Sequence, residues 1–450
     1  MSNPRVLFAG VSSGSGKTTA VCAVLSLLKR RGVKLSACKC GPDYIDPMFH
    51  SSVLGIKCSN LDPFFCDRDL LRCLLNENSG VELTVIEGVM GYYDGTGEDG
   101  TDNSTYTVAS QTETPVILVL NAKGAAASLL AQIEGFLNFC KESRIKGVLF
   151  NRMTEMNYKN ISRLLKQRFG NSIVPVGLIP ELPEKCIIPS RHLGLVTADE
   201  ITELTSVLQK TADICENTID INSIIEIANN AEQLNFSSPT IPQFDKINLA
   251  VARDEAFCFY YKDTISLFEK MGAHIKYFSP LANEELPKNA DGLLLGGGYP
   301  ELYSDILEKN TVSKESVKNA ILSGMPTIAE CGGFQYLGNK LDGKKMCGVL
   351  SLESFETNKL VRFGYVTLTA KEDNLFGPVG SVLKAHEFHY WDSTDTGNSF
   401  IAEKPSGKKW DCVISTPTLY AGYPHLFLCA NVAAAENFYG KCLEFRENRQ

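Results

Sequence analysis

Residues 5 to 19, RVLFAGVSSGSGKTT, constrain this chain more than any other stretch. Arg5 to Ala9 read as a short apolar strand, the glycine and serine run that follows is no helix interior, and an apolar helical period restarts at Thr18 and continues to Leu28. Strand, glycine-rich turn and helix in that order make a phosphate-binding loop. Successive backbone N–H groups of Ser13, Gly14, Ser15, Gly16, Lys17, Thr18 and Thr19 can ring a polyphosphate, Lys17 can reach its outer phosphoryl groups, and the Thr18 hydroxyl can hold Mg²⁺. The spacing departs from the commonest pattern once. Val11 stands where the first glycine usually falls, with Gly10 one place earlier, so a variant path is expected with the phosphate-touching positions kept.

The first half of the chain repeats strand and helix. Apolar strand candidates lie at 5–9, 34–40, 82–86, 115–120, 145–150 and 173–179, with helical periods near 18–31, 67–76, 125–140, 157–168 and 200–212. This alternation predicts a mostly parallel α/β sheet covered on both faces, whose ligands gather beyond the carboxyl ends of the strands. Two strand ends are rich in carboxylates: GPDYIDP follows LSACKC, and VMGYYDG follows LTVIEG. Asp43, Asp46, Glu87 and Asp94 are therefore expected to meet above the phosphate loop, supplying the hard oxygen ligands that Mg²⁺ demands, with Glu87 and then Asp43 the leading metal candidates beside Thr18. Lys39 ends its strand near the same point and can neutralise a phosphate or a carboxylate substrate. The polar stretch EDGTDNSTYTVAS is expected to be a loop over the substrate, with Ser104 or Thr105 in contact.

Past residue 180 the pattern thins. Arg191 and His192 can reach an anion, a weakly amphipathic helix is expected over 213–234, and NFSSPTIPQFD has the composition of a linker. A first domain over 1–238 and a second over 247–450 follow. The second opens with the strand KINLAVARD and is again α/β. Its sharp turn at Gly296, Gly297 and Gly298 can present N–H groups to an oxyanion.

Cys331 is the chemical focus of that second half. The strand MPTIAEC runs directly into GGFQYLG, the strand-to-helix elbow that exposes a nucleophile, and Gly332 offers a second oxyanion donor beside Gly297. Of six histidines, His425 in AGYPHLFLC is the best placed base. His386 and His389, in AHEFHYW, lack the helical spacing of a zinc site and fit better as contacts to a polar or anionic substrate portion, or as a structural tie.

Composition excludes other classes. The net charge of −8 and the lack of a basic stripe beyond KRRGVK argue against a nucleic-acid partner. Fifteen scattered cysteines with no CxxC pair indicate reduced thiols rather than a disulfide framework. With no signal-peptide core and no apolar run of 18 residues, no membrane partner is expected and cytoplasm is the expected compartment.

Taken together, AGVSSGSGKTT, KCGPDYIDPMFH, NLDPFF, IEGVMGYYDG, LLLGGGYPE, AECGGFQYLG, HEFHYW and AGYPHLFLCANVAAAENFY resemble the cobyrinic acid a,c-diamide synthase family, which is shared with the hydrogenobyrinic acid and nickel-sirohydrochlorin a,c-diamide synthases. The resemblance spans practically the whole chain. It implies an N-terminal P-loop domain resembling dethiobiotin synthetase and a C-terminal class I glutamine amidotransferase-like α/β domain. It further implies ATP and Mg²⁺ as cofactors, and L-glutamine and a corrinoid (tetrapyrrole) polycarboxylate as substrates. Cys331 would then be the glutaminase nucleophile and His425 its base, while the loop at 13–19 binds ATP and Asp43, Asp46, Glu87 and Asp94 serve Mg²⁺ and carboxylate activation. One departure stands out: Phe427 sits two residues after His425, where many such glutaminases carry a glutamate, so a Cys-His dyad is expected with its third member open. Two rival readings are a regulatory P-loop ATPase fused to an inactive second domain and an amidotransferase for another acceptor. Monomer and homodimer fit the sequence equally.

Overall fold

The computed structural model describes residues 3–77, 80–186 and 198–449, so Arg191 and His192 lie outside the described residues. The chain divides into two compact units, one ending at Ser238 and the other running on from Pro239.

The first unit is built on seven parallel strands. In chain order they are β1 (Arg5–Gly10), β2 (Leu35–Cys40), β3 (Cys58–Leu61), β4 (Leu83–Glu87), β5 (Val116–Asn121), β6 (Ile145–Asn151) and β7 (Val174–Ile179), and they lie side by side as β3-β2-β4-β1-β5-β6-β7. Every residue of β1 is buried, as an inner strand covered on both faces requires. Helix α1 (Lys17–Arg30) packs its apolar side, including Val21, Val24 and Leu28, into a core shared with Leu204, Leu208 and Ala212 and with Ile224. That buried stripe fixes the helix start, and hence the phosphate loop, against the sheet.

Two elements were not read from the sequence, and two expectations are corrected. The short strand β3, CSNL, had no legible apolar run. The segment after β2 forms helix α2 (Ile45–Ser52), whose first turn tolerates Pro47. The polar stretch expected to be a loop instead begins a helix, Thr105–Gln111, capped by the Ser104 side chain, which accepts from the Thr107 N–H. Ser104 and Thr105 turn inward: Thr105 is fully buried, its Oγ1 accepting the Val89 N–H and donating to the Val89 carbonyl, both at 2.9 Å. Finally, the helix expected over 213–234 is two helices, one ending at Cys215 and the other spanning Ile221–Asn229, because Asp220 caps a new start by accepting from Ser223.

In the second unit a six-stranded sheet takes the order Ile414–Thr416, Leu419–Gly422, Thr327–Glu330, Gly292–Leu295, Ile247–Ala252 and Ala273–Phe278. All but the first strand are parallel. Two smaller sheets of four and five strands flank it, the larger containing Val382–His389 and the short strand His425–Leu426. All fifteen cysteines are free. Among the described residues no helix is long and apolar enough to cross a membrane.

Candidate active sites

In the first unit the turn from β1 into α1 carries the phosphate loop. Gly14 and Gly16 have φ values of 74° and 98°, a region other residues enter only with strain. Gly16 also has no room for a side chain, since a methyl group there would lie 2.0 Å from Asn151 Nδ2, and Asn151 donates to the Ser15 carbonyl at 3.1 Å. The loop is therefore pinned from the end of β6. Lys17 is buried, its ammonium donating to the carbonyls of Met90 and Ser12 at 2.5 and 3.2 Å. Burial, reinforced by the nearby Lys39 charge, pulls its pKa down to about 8. A cavity of about 290 Å³ adjoins the loop, lined by Gly16, Lys17 and Thr18 on one side and Asn151, Arg152 and Leu182 on the other.

Lys39 and Glu87 are register neighbours at the ends of β2 and β4. Their side chains meet: Lys39 Nζ lies 3.1 Å from Glu87 Oε1, 2.5 Å from Asp46 Oδ2 and 4.0 Å from Asp43 Oδ2. Burial works against the Lys39 charge, but Glu87, Asp46 and Asp43 outweigh it and hold the pKa well above its usual value. Glu87 is in the same position with opposite sign. Burial alone would push its carboxyl up, yet Lys39, His50 and Thr18 keep it well below the usual carboxylate range. Its Oε1 accepts the Thr18 hydroxyl at 2.6 Å, and its Oε2 is 3.0 Å from His50 Nε2. His50, fully buried one helical turn after Asp46 on α2, was not singled out from sequence; the D-x-x-x-H spacing is the signal that would have found it. Asp94 stands apart from this network, exposed, with Oδ2 accepting the Gly91 N–H at 2.8 Å.

The donor set fits Mg²⁺ together with a polyphosphate. Because the Thr18 hydroxyl gives its proton to Glu87, its lone pairs are available to a cation. Burial, then repulsion from Asp46, raises the Asp43 carboxyl to about 6. Among the described residues no three His, Cys, Asp or Glu side chains converge on one metal position. Few protein ligands and several from phosphate and water is the usual Mg²⁺ arrangement.

The second unit presents a different chemistry. Cys331, directly after the strand Thr327–Glu330, has φ 47° and ψ −100°, a strained conformation whose cost is about 1–3 kcal/mol. Its N–H donates to Gly422 at 2.8 Å, and Gly332 opens the following helix. Both glycines after it are required by close approach: a methyl group on Gly333 would lie 2.1 Å from the Leu295 carbonyl oxygen, and one on Gly332 would lie 2.9 Å from Pro300 Cδ and 3.2 Å from the Gly298 nitrogen. The elbow does not expose the side chain as expected, since Cys331 is only 8% accessible.

His425, on the edge strand of the five-stranded sheet, reaches Cys331 at the end of a strand of the six-stranded sheet and hydrogen-bonds its thiol. Burial pulls the His425 pKa down, but the contacts with Cys331 and Glu330 overcome it and raise it to about 10. Gly297 lies against the imidazole, where a methyl group would sit 2.4 Å from Cε1. Glu330 was missed from sequence: its Oε2 lies 3.5 Å from His425 Nδ1, while its Oε1 accepts the Leu426 N–H at 2.9 Å. His386 pairs with His425 in register, and burial holds its pKa down to about 3, so it is neutral. His389 points the other way. It is buried, bonded through Nδ1 to the Trp391 carbonyl, 3.3 Å from Glu387 and stacked on Tyr423, so its contacts are with the interior of its own unit.

Comparison with known proteins gives two domain matches. The profile described as CobQ/CobB/MinD/ParA nucleotide binding domain matches residues 6–196, and that described as CobB/CobQ-like glutamine amidotransferase domain matches residues 248–432. Over its length the chain is similar to proteins named cobyrinate a,c-diamide synthase. The one from Listeria monocytogenes is 36% identical, covering 97% of this chain and 99% of that one. Those from Thermoplasma volcanium and Priestia megaterium are 34% and 33% identical, each covering 100% of this chain and, respectively, 100% and 99% of theirs.

Proposed function

This chain belongs to the cobyrinate a,c-diamide synthase family of glutamine-dependent amidotransferases, and we propose that it amidates the a and c acetate carboxylates of cobyrinic acid in cobalamin biosynthesis, using ATP and glutamine-derived ammonia. The observation that carries this reading is the pairing, in one chain, of a buried phosphate-loop lysine with a strained cysteine hydrogen-bonded to histidine. The first supports carboxylate activation, the second nitrogen release. On this reading residues 1–238 form the synthetase domain and 247–450 the glutaminase domain.

A carboxylate is a poor electrophile, and transfer of the γ-phosphoryl group makes it an acyl phosphate that ammonia can attack. The loop from Ser13 to Thr19 holds the phosphates, and Lys17 neutralises charge as the γ-phosphoryl group moves. Bound Mg²⁺ would supply further charge neutralisation across the phosphates, with Thr18, Glu87 and Asp43 holding or flanking it. Lys39, kept charged by Glu87 and Asp46, is suited to fixing the acceptor carboxylate, with Asp46 setting its direction. Asp94, at the turn below Gly91, lends negative charge toward Lys17. In the glutaminase domain Cys331 attacks the glutamine amide, His425 carries the proton to the departing nitrogen, and N–H groups near Gly297 and Gly332 receive the oxyanion. His386 is positioned to line that pocket.

Two results are expected at the synthetase site. Asp43→Ala should leave glutamate release intact while removing ADP formation and diamide product together, measured in parallel; Glu87→Ala should do the same and also cost about 3–5 kcal/mol of stability, because buried Lys39 and His50 lose their shared carboxylate. Second, ATP brings negative charge to a lysine whose pKa has fallen to about 8, so binding restores its proton. Calorimetry in buffers of different ionisation enthalpy should show about one proton taken up at pH 9 and almost none at pH 6.5. Uptake independent of pH contradicts this account of Lys17.

The acceptor is tested by offering cobyrinic acid, hydrogenobyrinic acid and nickel-sirohydrochlorin separately with ATP, Mg²⁺ and glutamine. Diamide formation with the highest kcat/KM from cobyrinic acid is expected. Turnover confined to the nickel compound would transfer the assignment to that branch of the family.

A further inference from the structure

We propose that Glu330 is the residue that orients His425 in the glutaminase site, so that the nucleophile and the group positioning its base come from consecutive residues of one strand end. The inference rests on the Cys331–His425 reading above. Where a glutamate two places after the histidine would serve, Phe427 is buried with its ring 4.9 Å from that of Tyr261, and it brings no polar group to the imidazole. Glu330 comes instead from the end of the strand Thr327–Glu330. Its side chain is 13% exposed, and the Leu426 N–H, at 2.9 Å, fixes one carboxylate oxygen while the other stands 3.5 Å from His425 Nδ1.

The backbone contact matters because Leu426 is joined directly to His425. One carboxylate thus reads both the strand that carries the base and the base's ring, and it cannot swing away without losing the part-buried hydrogen bond from Leu426. Gly297 closes on Cε1 from a further side, which leaves the ring little freedom to rotate. Placing the Nδ1 proton toward the Glu330 oxygen 3.5 Å away leaves Nε2 for Cys331. Nε2 takes the thiol proton, the thiolate forms the C–S bond, and the same proton leaves with ammonia as the C–N bond breaks. Water then cleaves the thioester, its proton passing through Nε2 and its oxygen to glutamate. The Glu330 carboxylate stabilises the imidazolium. Among the described residues, the titratable groups beside His425 include Cys331, Glu330 and the neutral His386.

The test uses the full-length protein and the variants Glu330→Gln, Glu330→Asp and Cys331→Ser. The amide of Glu330→Gln can still accept the Leu426 N–H while its other end no longer attracts a proton on Nδ1. Iodoacetamide labelling of the Cys331 peptide, followed by mass spectrometry across pH, reports thiolate formation without requiring turnover. In Glu330→Gln the alkaline limb, where imidazolium is lost, should move down by about one pH unit or more, and glutamine-dependent kcat should fall at least about 100-fold. Ammonia-dependent amidation should stay within about twofold of wild type, and Glu330→Asp should recover part of both losses. An unshifted labelling profile overturns the proposal, whether activity is normal or is lost with both nitrogen sources. If Cys331→Ser still hydrolyses glutamine, the nucleophile assignment fails first and this inference falls with it for an identified reason.

Discussion

Cys331→Ser should abolish glutamine-dependent amidation while leaving the synthetase able to use ammonia. The thiol is hydrogen-bonded to His425, and a serine hydroxyl at the same place is a far weaker nucleophile under the same base. Sulfur to oxygen is a one-atom change at a buried position, so the substitution leaves almost no cavity and the fold should be kept. Supplied with ammonium salt near pH 8.5, where more of the nitrogen is unprotonated, the variant should form diamide with ATP consumption matching the wild-type enzyme under the same conditions. Glutamate release at the wild-type rate would remove Cys331 from the reaction. Failure with both nitrogen sources, in a protein that remains folded, would contradict the division of labour between the two units.

Lys17→Ala should lower amidation at least about 100-fold, equivalent to about 2.7 kcal/mol of lost transition-state stabilisation. In the absence of ligand the ammonium is held by two backbone carbonyls, Met90 and Ser12. Those contacts are replaceable by water, whereas Lys17 is the cation carried by the loop itself, Arg152 lining the far side of the adjoining cavity. Lys39 does not substitute, because Glu87 and Asp46 hold its ammonium at the ends of β2 and β4 rather than on the loop. The loss should therefore appear with ammonia as well as with glutamine. An unchanged kcat/KM for the acceptor would contradict the assignment.

The parallel sheets were legible because their inner strands are continuous apolar runs separated by helical periods, and β1 with its glycine run is the clearest case. Four-residue β3 was not, since Cys58–Leu61 sets two polar residues between two apolar ones at the sheet edge and takes its conformation from pairing with β2. The helix at Thr105–Gln111 was hidden by the glycine and aspartate run before it, although Ser104 is a regular capping residue.

Within the candidate sites, the groups that local motifs announce were the visible ones: Lys17 and Thr18 after their glycines, Cys331 at its elbow, and Glu87 at a strand end. What sequence could not convey is which carboxylate meets which cation. Lys39 and Glu87 are neighbours only because β2 lies next to β4. Glu330 and His425, 95 positions apart in the sequence, are brought together only by the fold. Glu330 reads locally as one more polar residue at the end of an apolar strand. Asp94 illustrates the converse, a carboxylate in a suggestive motif whose oxygen caps its own turn.

The central claim is that ATP activates the acceptor carboxylate itself, and isotope transfer tests it most directly. The acceptor is prepared with ¹⁸O in its carboxylates and turned over with ATP, Mg²⁺ and glutamine, and the phosphate released is analysed by mass spectrometry. If the phosphate loop transfers the γ-phosphoryl group to the carboxylate and ammonia then displaces phosphate, each amide formed should place one ¹⁸O in inorganic phosphate, in step with ADP. Unlabelled phosphate accompanying labelled acceptor and diamide product would contradict the claim.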